Sequence, residues 1–128
     1  MKKVSLLICL LVGFSASSIA EGDAEQGKAK SVACGACHGT DGNSLIPMNP
    51  KLAGQHANYL VKQLKEFKAA ATSGGKEGRN NAVMGGMAMP LSEQDMEDLA
   101  AYYAGQAMSP NTTAPEYVEA GQKLYMGG

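Results

Sequence analysis

Two cysteines separated by two residues and followed at once by a histidine constrain this sequence most. The string is Cys34-Gly35-Ala36-Cys37-His38, and the remaining cysteine, Cys9, lies near the start of the chain. A disulfide across two residues would close a very small loop and would restrict the unfolded chain little. We therefore expect the pair to serve chemistry rather than to cross-link the fold.

The order C-x-x-C-H is the attachment site of c-type haem. Two thiols add to the two vinyl groups of one porphyrin, and the histidine that follows is held beneath the iron, where an imidazole nitrogen can bind it. Gly35 and Ala36 are small, which suits a backbone close to the porphyrin edge. We predict one covalent haem c on Cys34 and Cys37, with His38 as an iron ligand.

Two other uses of such a pair compete with haem. A thioredoxin-like dithiol lies between a strand and a helix, and this sequence has no alternating strand pattern of useful length. A structural zinc site needs four ligands. Beyond residue 20 the cysteine and histidine candidates are Cys34, Cys37, His38 and His56. Adjacent Cys37 and His38 are poorly spaced to bind one ion together, so both alternatives are disfavoured.

The first twenty residues have the pattern of a secretory signal peptide. Lys2 and Lys3 precede an apolar run over residues 4–14, and a small-x-small site predicts cleavage after Ala20. The run is short for a membrane span, and an uncleaved anchor is the alternative. Cys9 follows Ile8, where lipid attachment would require a small residue. We predict that the mature protein is exported, and c-type haem is attached after export.

Cleavage would leave nine basic and twelve acidic residues, because two of the eleven basic residues lie in the leader. This balance argues against a nucleic-acid binder that relies on bulk charge. Glu93, Glu97 and Asp98 crowd the start of one predicted helix. We interpret them as a solvated helix start, with steering of a basic partner as the alternative.

Hydrophobic spacing predicts an all-α fold of short helices and long loops. Helices are predicted over residues 22–33, 56–71, from an N-cap at Ser92 to Gly105, and over 116–126; loops are predicted over 34–54, 72–81 and 83–90. With two Phe and no Trp, the domain has few large side chains on which such loops could pack. A large apolar cofactor would fill that role.

A second iron ligand must come from elsewhere in the chain. Met84, Met87 and Met89 lie together in the glycine-bearing segment before the helix that starts after Ser92. A thioether favours ferrous iron, although methionines are also common core fillers. His56 is the other candidate, but its place at the start of an amphipathic helix favours a position facing solvent.

Beyond the haem motif, the chain resembles class I cytochromes c, and most closely the two-haem cytochrome c4 group. The resemblance spans residues 22 to about 126. It rests on the strings Gly22-Asp23-Ala24-Glu25, Val32 to Gly39, Asp41-Gly42-Asn43-Ser44, Pro50 to Gln55, Tyr59 to Leu64, Met84-Gly85-Gly86-Met87, Leu91 to Asp95, and Leu99 to Tyr103.

The resemblance implies roles for individual residues. It assigns the axial thioether to Met84 and leaves Met87 to packing. It also implies that the Pro50 carbonyl accepts a hydrogen bond from His38. Finally, it implies that Gly27 lets the helix carrying Leu99 and Tyr102 or Tyr103 cross closely.

The function implied by the resemblance is periplasmic electron transfer, between a quinol-oxidising complex and a terminal oxidase. With both axial positions of the iron filled by protein, enzymatic turnover is not expected. The alternative is a haem enzyme or gas sensor with a labile axial methionine. A pure binding module would leave the haem motif unexplained.

An internal repeat completes the predicted organisation. Glu119 to Tyr125 is similar to the opening of the first helix, at residues 24–28. We predict a signal peptide over 1–20, a haem domain over 21–108, and over 109–128 a linker with the start of a second cytochrome c domain. The alternative is a one-haem protein whose tail folds back on its own domain.

Overall fold

The computed structural model describes residues 22–127, and helices are its regular elements. In chain order these are α1 (Ala24–Lys30), α2 (Val32–His38), α3 (Ala57–Ser73), α4 (Ala82–Ala88), α5 (Glu93–Ala104) and α6 (Pro115–Gly127). No strand occurs in this part of the chain, which confirms the all-α prediction. The predicted signal peptide lies outside the described residues. Among residues 22–127, no helix has the length and apolarity to cross a bilayer.

Helix α5 organises the core. It packs against both α1 and α3, and α3 also carries α4. Leu60 of α3 meets Leu99, Ala100 and Tyr103 of α5 in the central apolar cluster, and Cys34 packs on its edge. The cysteine pair is therefore tied directly to the core.

Glycine sets the distance between α1 and α5. A Cβ atom on Gly27 would lie 2.0 Å from the carbonyl oxygen of Asp98, and one on Gly22 would lie 2.0 Å from that of Glu97. Only glycine permits such contact between two backbones. The close crossing expected at Gly27 is confirmed, and Tyr102 is the α5 side chain nearest to it.

Local signals placed α5 correctly. The Ser92 hydroxyl accepts from the Asp95 N–H at 3.1 Å, and the Asp95 carboxylate accepts from the Ser92 N–H at 2.8 Å. This capping box satisfies two N–H groups at the helix start. The helices predicted over 56–71 and 116–126 are observed as α3 and α6, and α6 buries none of its residues.

The predicted first helix is in fact two helices. Its helical path breaks at Ser31, whose buried hydroxyl donates back to the Lys28 carbonyl at 2.8 Å. A new helix, α2, then begins at Val32 and ends at His38. The prediction of a loop from Cys34 onward was therefore wrong for Cys34 to His38, because the haem motif is helical.

The predicted loop over 83–90 was also wrong for most of its length. Asn81 caps α4 by accepting from the Met84 N–H at 2.9 Å. Gly85 and Ala88 are buried, and a Cβ on Gly85 would lie 3.2 Å from that of Ala71 in α3. Packing against α3 outweighs the weak helix propensity of adjacent glycines.

Asp98 corrects the interpretation of the acidic helix start as solvated. Its side chain is buried, and its carboxylate accepts from Lys30 at 2.5 Å, from the Asp23 N–H at 2.8 Å and from Gln94 at 2.9 Å. The Lys30 ammonium holds the pKa of Asp98 below its usual value. Asp98 therefore joins α5 to α1 and is not free to steer a partner.

Candidate cofactor site

Helix α2 presents the cysteines and the histidine from a single turn. Positions three and four apart lie on one side of a helix, so Cys37 and His38 share a face with Cys34. No disulfide joins the two cysteines; Cys34 is half-buried and Cys37 is exposed. This arrangement offers two sulfurs and one imidazole to a single flat group.

The pKa of the Cys34 thiol is shifted in the direction opposite to that of a redox dithiol. Reactive cysteines in C-x-x-C motifs have a lowered pKa. Here burial raises the pKa of the Cys34 thiol. The absence of strands from residues 22–127 removes the other mark of a thioredoxin-like site.

A zinc centre is not supported either. Within residues 22–127 no three His, Cys, Asp or Glu side chains are grouped so as to hold a metal ion. His56 is exposed and immediately precedes α3. The structure therefore does not gather the four candidates that a zinc site would need.

His38 is buried, and one of its ring nitrogens already has a partner. Its Nδ1 lies 2.9 Å from the carbonyl oxygen of Pro50. A carbonyl can only accept, so Nδ1 is the donor in this contact, and in the neutral ring this leaves the lone pair on Nε2. Such a bond fixes the ring and makes Nε2 a better metal donor. The structure thus brings His38 and Pro50 together in the way the resemblance implied.

Two polar side chains that the sequence analysis left without a role hold the end of α2. The Ser44 hydroxyl donates to the Cys37 carbonyl at 3.0 Å, and Asn49 donates to the same oxygen at 2.9 Å. They satisfy a carbonyl at the helix end, which lacks an intrahelical partner. Short polar side chains in a glycine-bearing turn are typical of such capping, and this signal was present in Asp41 to Ser44.

The loop that carries Pro50 is fixed by backbone hydrogen bonds made by the residues that follow Pro50. The Leu52 N–H donates to the Gly42 carbonyl at 2.8 Å, and the Gly54 N–H donates to the Tyr103 carbonyl at 2.9 Å. Gly42 has a φ of +81°, and a Cβ there would lie 2.7 Å from the Tyr103 ring. The acceptor for His38 is therefore held against α5.

The three candidate methionines lie on or next to α4. Met84 is half-buried in its first turn, whereas Met87 is 39% and Met89 53% exposed. Met84 and Met87 are three positions apart and share a helix face. All three lie on or next to α4, whereas His38 lies in α2. The assignment of Met84 as the second iron ligand stays a prediction.

The described residues also fit an apolar group held beside α2. Exposed large apolar side chains occur in the loop after α2 and around α4, namely Leu45, Ile46, Met48, Val83, Met87 and Met89. Each of these two segments thus exposes several large apolar side chains, which is the kind of surface that a bound apolar group can cover. In addition, the buried Tyr103 hydroxyl has no hydrogen-bond partner among the described residues. A buried hydroxyl normally has one, and Tyr103 belongs to the apolar cluster on whose edge Cys34 packs.

Sequence comparisons match the chain to a protein family and to individual relatives. A sequence profile of the cytochrome c family matches residues 24–105. The chain is 48% identical over 130 residues to cytochrome c4 of Stutzerimonas stutzeri, an alignment that covers 100% of this chain and 62% of that protein. It is 46% identical over 85 residues to cytochrome c-554(548) of Halomonas halodenitrificans, covering 66% of this chain and 98% of that protein.

The fold has a counterpart among solved structures. The crystal structure of reduced recombinant cytochrome c4 from Pseudomonas stutzeri superposes with a TM-score of 0.79 at 49% sequence identity. The match covers 84% of this chain and 57% of that one. This chain thus spans less than two thirds of the cytochromes c4 that it matches.

Proposed function

Because the chain belongs to the cytochrome c family, we propose that it is an electron carrier in which Cys34 and Cys37 hold the haem and His38 and Met84 bind its iron. Haem c, bound covalently, is the cofactor of this family. When bound, it supplies an iron that gains or loses one electron. The roles proposed here for the chain are to anchor that group, to fix the donor orbitals and to keep water away.

The observation that carries the proposal is the 2.9 Å contact between His38 Nδ1 and the Pro50 carbonyl. It commits the ring to one tautomer and directs the Nε2 lone pair away from Pro50. Ser44 and Asn49 hold the preceding Cys37 peptide, so the last turn of α2 has little freedom. A donor held in this way changes little between two oxidation states, which suits rapid electron exchange.

Met84 is supported as the second ligand by its placement. Asn81 fixes the first turn of α4, and the buried Gly85 next to Met84 anchors that helix on α3. Met87 and Met89 are more exposed. With His38 and Met84 both bound, no iron position is open to a substrate, so we expect no enzymatic activity.

Location and partners follow as part of the proposal. The leader over 1–20, cleaved after Ala20, would deliver the chain to the periplasm. Its redox partners would be respiratory proteins, a quinol-oxidising complex as donor and a terminal oxidase as acceptor. Contact with a membrane would occur only through these partners.

Two measurements on the purified protein test the proposal. Acid-acetone extraction should leave the haem on the polypeptide, because thioether bonds survive it; haem in the organic phase would refute attachment through Cys34 and Cys37. The ferrous protein should bind carbon monoxide slowly or not at all. Rapid binding would instead indicate a labile Met84 and favour a haem enzyme or gas sensor.

A further inference from the structure

The segment that follows α5 returns across the loop that carries Pro50. The Asn43 amide donates to the Ala107 carbonyl at 3.0 Å and accepts from the Ser109 N–H at 2.7 Å. A Cβ on Gly54 would lie 3.5 Å from that of Met108, in ordinary contact. Residues 106–109 are therefore held against the 41–54 loop by paired hydrogen bonds and by packing.

Lys51 makes the third attachment of this segment. Its ammonium donates to the carbonyl and hydroxyl oxygens of Ser109, both at 2.8 Å, and to the Asn111 side chain at 2.6 Å. An ammonium has three N–H donors, and all three are used here by residues at least 58 positions away. By contrast, the Lys62 ammonium on α3 has one weak ion pair, with the Glu66 carboxylate at 3.9 Å.

Lys51 shares a peptide group with the acceptor of the His38 bond. The Pro50 carbonyl lies in one plane with the nitrogen and Cα of Lys51, because the peptide bond is planar. The next residue, Leu52, is tied to Gly42. Anchoring the Lys51 side chain therefore restricts rotation of the plane that contains the Pro50 oxygen.

From this geometry we propose that Lys51 is a positioning residue for His38. The segment 109–111 holds the Lys51 ammonium, Lys51 holds the Pro50 peptide, and Pro50 holds the imidazole ring. The inference rests on the proposed role of His38 as an iron ligand. It makes the linker after the haem domain part of the support of the iron site.

A charge-neutral variant tests this role. Ser109→Ala combined with Asn111→Ala removes two of the three acceptors of Lys51 and leaves every charge in place. Thr112→Ala combined with Thr113→Ala is the matched control, because these exposed neighbours make no side-chain hydrogen bond among the described residues. The readout is exchange of the His38 Nδ1 proton with solvent, followed by NMR in the ferrous holoprotein.

We expect exchange about fivefold faster in the Ser109/Asn111 variant, the order of effect given by losing net hydrogen bonding, and no change in the control. Lys51→Met should accelerate exchange as much or more, and adding the two alanines to it should have no further effect. Unchanged exchange in the Ser109/Asn111 variant, or equal acceleration in the control, would overturn the proposal.

The proposed function is read separately in the same spectra. If His38 binds the iron, its ring protons in the wild type carry a large shift from the haem ring current. Absence of that shift refutes the ligand assignment, whereas a shift that is present together with unchanged exchange refutes the role of Lys51 alone. Thermal unfolding of each holoprotein confirms that the variants are folded when they are compared.

Discussion

The N–H of Asp23, the residue that caps α1, donates to Oδ1 of Asp98 at 2.8 Å across 75 positions of sequence. Asp23 in turn uses its own carboxylate to accept from the N–H groups of Glu25 and Gln26. The carboxylate of α5 thus supports the cap of α1, and Lys30 closes the arrangement at the other end of α1. The two helices are joined at the ends of α1 by one buried acid.

Replacing Asp98 by Asn should destabilise the protein by about 1 kcal/mol, because the bond from the partly exposed Lys30 loses its negatively charged acceptor. Chemical denaturation of the holoprotein measures the effect. Glu97→Gln is the control, since Glu97 is half-exposed and has no ion pair among the described residues. An equal loss in both variants would contradict the special role of Asp98.

Stability should fall in acid, and Asp98 should contribute to the fall. Its folded pKa is held low, chiefly by Lys30, so between the folded and unfolded pKa values the unfolded chain binds more protons. The contribution is therefore present above about pH 4 and is lost as the pH drops through the folded pKa. Denaturation midpoints measured from pH 7 down to 3 should decline less steeply in Asp98→Asn. Parallel curves for the variant and the wild type would refute the prediction.

Gly27→Ala should cost about 3 kcal/mol or more, because its new methyl group would meet backbone atoms of α5 that cannot turn aside. The matched substitution is Gly121→Ala in exposed α6, where a Cβ would meet nothing within 4 Å. There the change should be neutral or slightly stabilising. Thermal unfolding of the two variants decides the matter, and a tolerated Gly27→Ala would show that the helices are not so closely packed.

Met84→Ala should abolish the ferric absorption band that arises from methionine sulfur and should lower the reduction potential. The reason is that a thioether favours the ferrous state. Met87→Ala and Met89→Ala serve as controls, and both should retain the band. If the band disappears in Met87→Ala instead, the ligand lies one helical turn further along α4.

Those parts of the fold that depend on neighbouring residues were predictable. The Ser92–Asp95 capping box and the apolar face of α3 are written in consecutive positions, and both are observed. α4 was missed because its helix depends on Gly85 packing against Ala71. The burial of Asp98 was missed for a similar reason, since its cation lies 68 positions away. Distant contacts of this kind are not visible in a local pattern.

The residues of the candidate site were likewise predictable only in part. Cys34, Cys37 and His38 were recognisable from their spacing, because the chemistry demands adjacent positions. The bond between His38 and Pro50 was expected only from the family resemblance, and the structure contains it. Ser44 and Asn49 were not assigned, because a turn signal does not reveal which carbonyl the side chains will meet.

At Gly22 and Gly27 the chain meets α5 through main-chain atoms, without side chains between the two backbones. Where two helices meet through main-chain atoms, side-chain rotamers have little part in the contact, so we expect a shift of one helix to move the other with it. On α5 the hydroxyl of Tyr102 donates to the Thr40 carbonyl at 2.9 Å, two residues after His38. Helix α5 therefore contacts both the backbone of α1 at Gly27 and the loop after His38 at Thr40, so the position of α1 and the position of that loop depend on each other through α5.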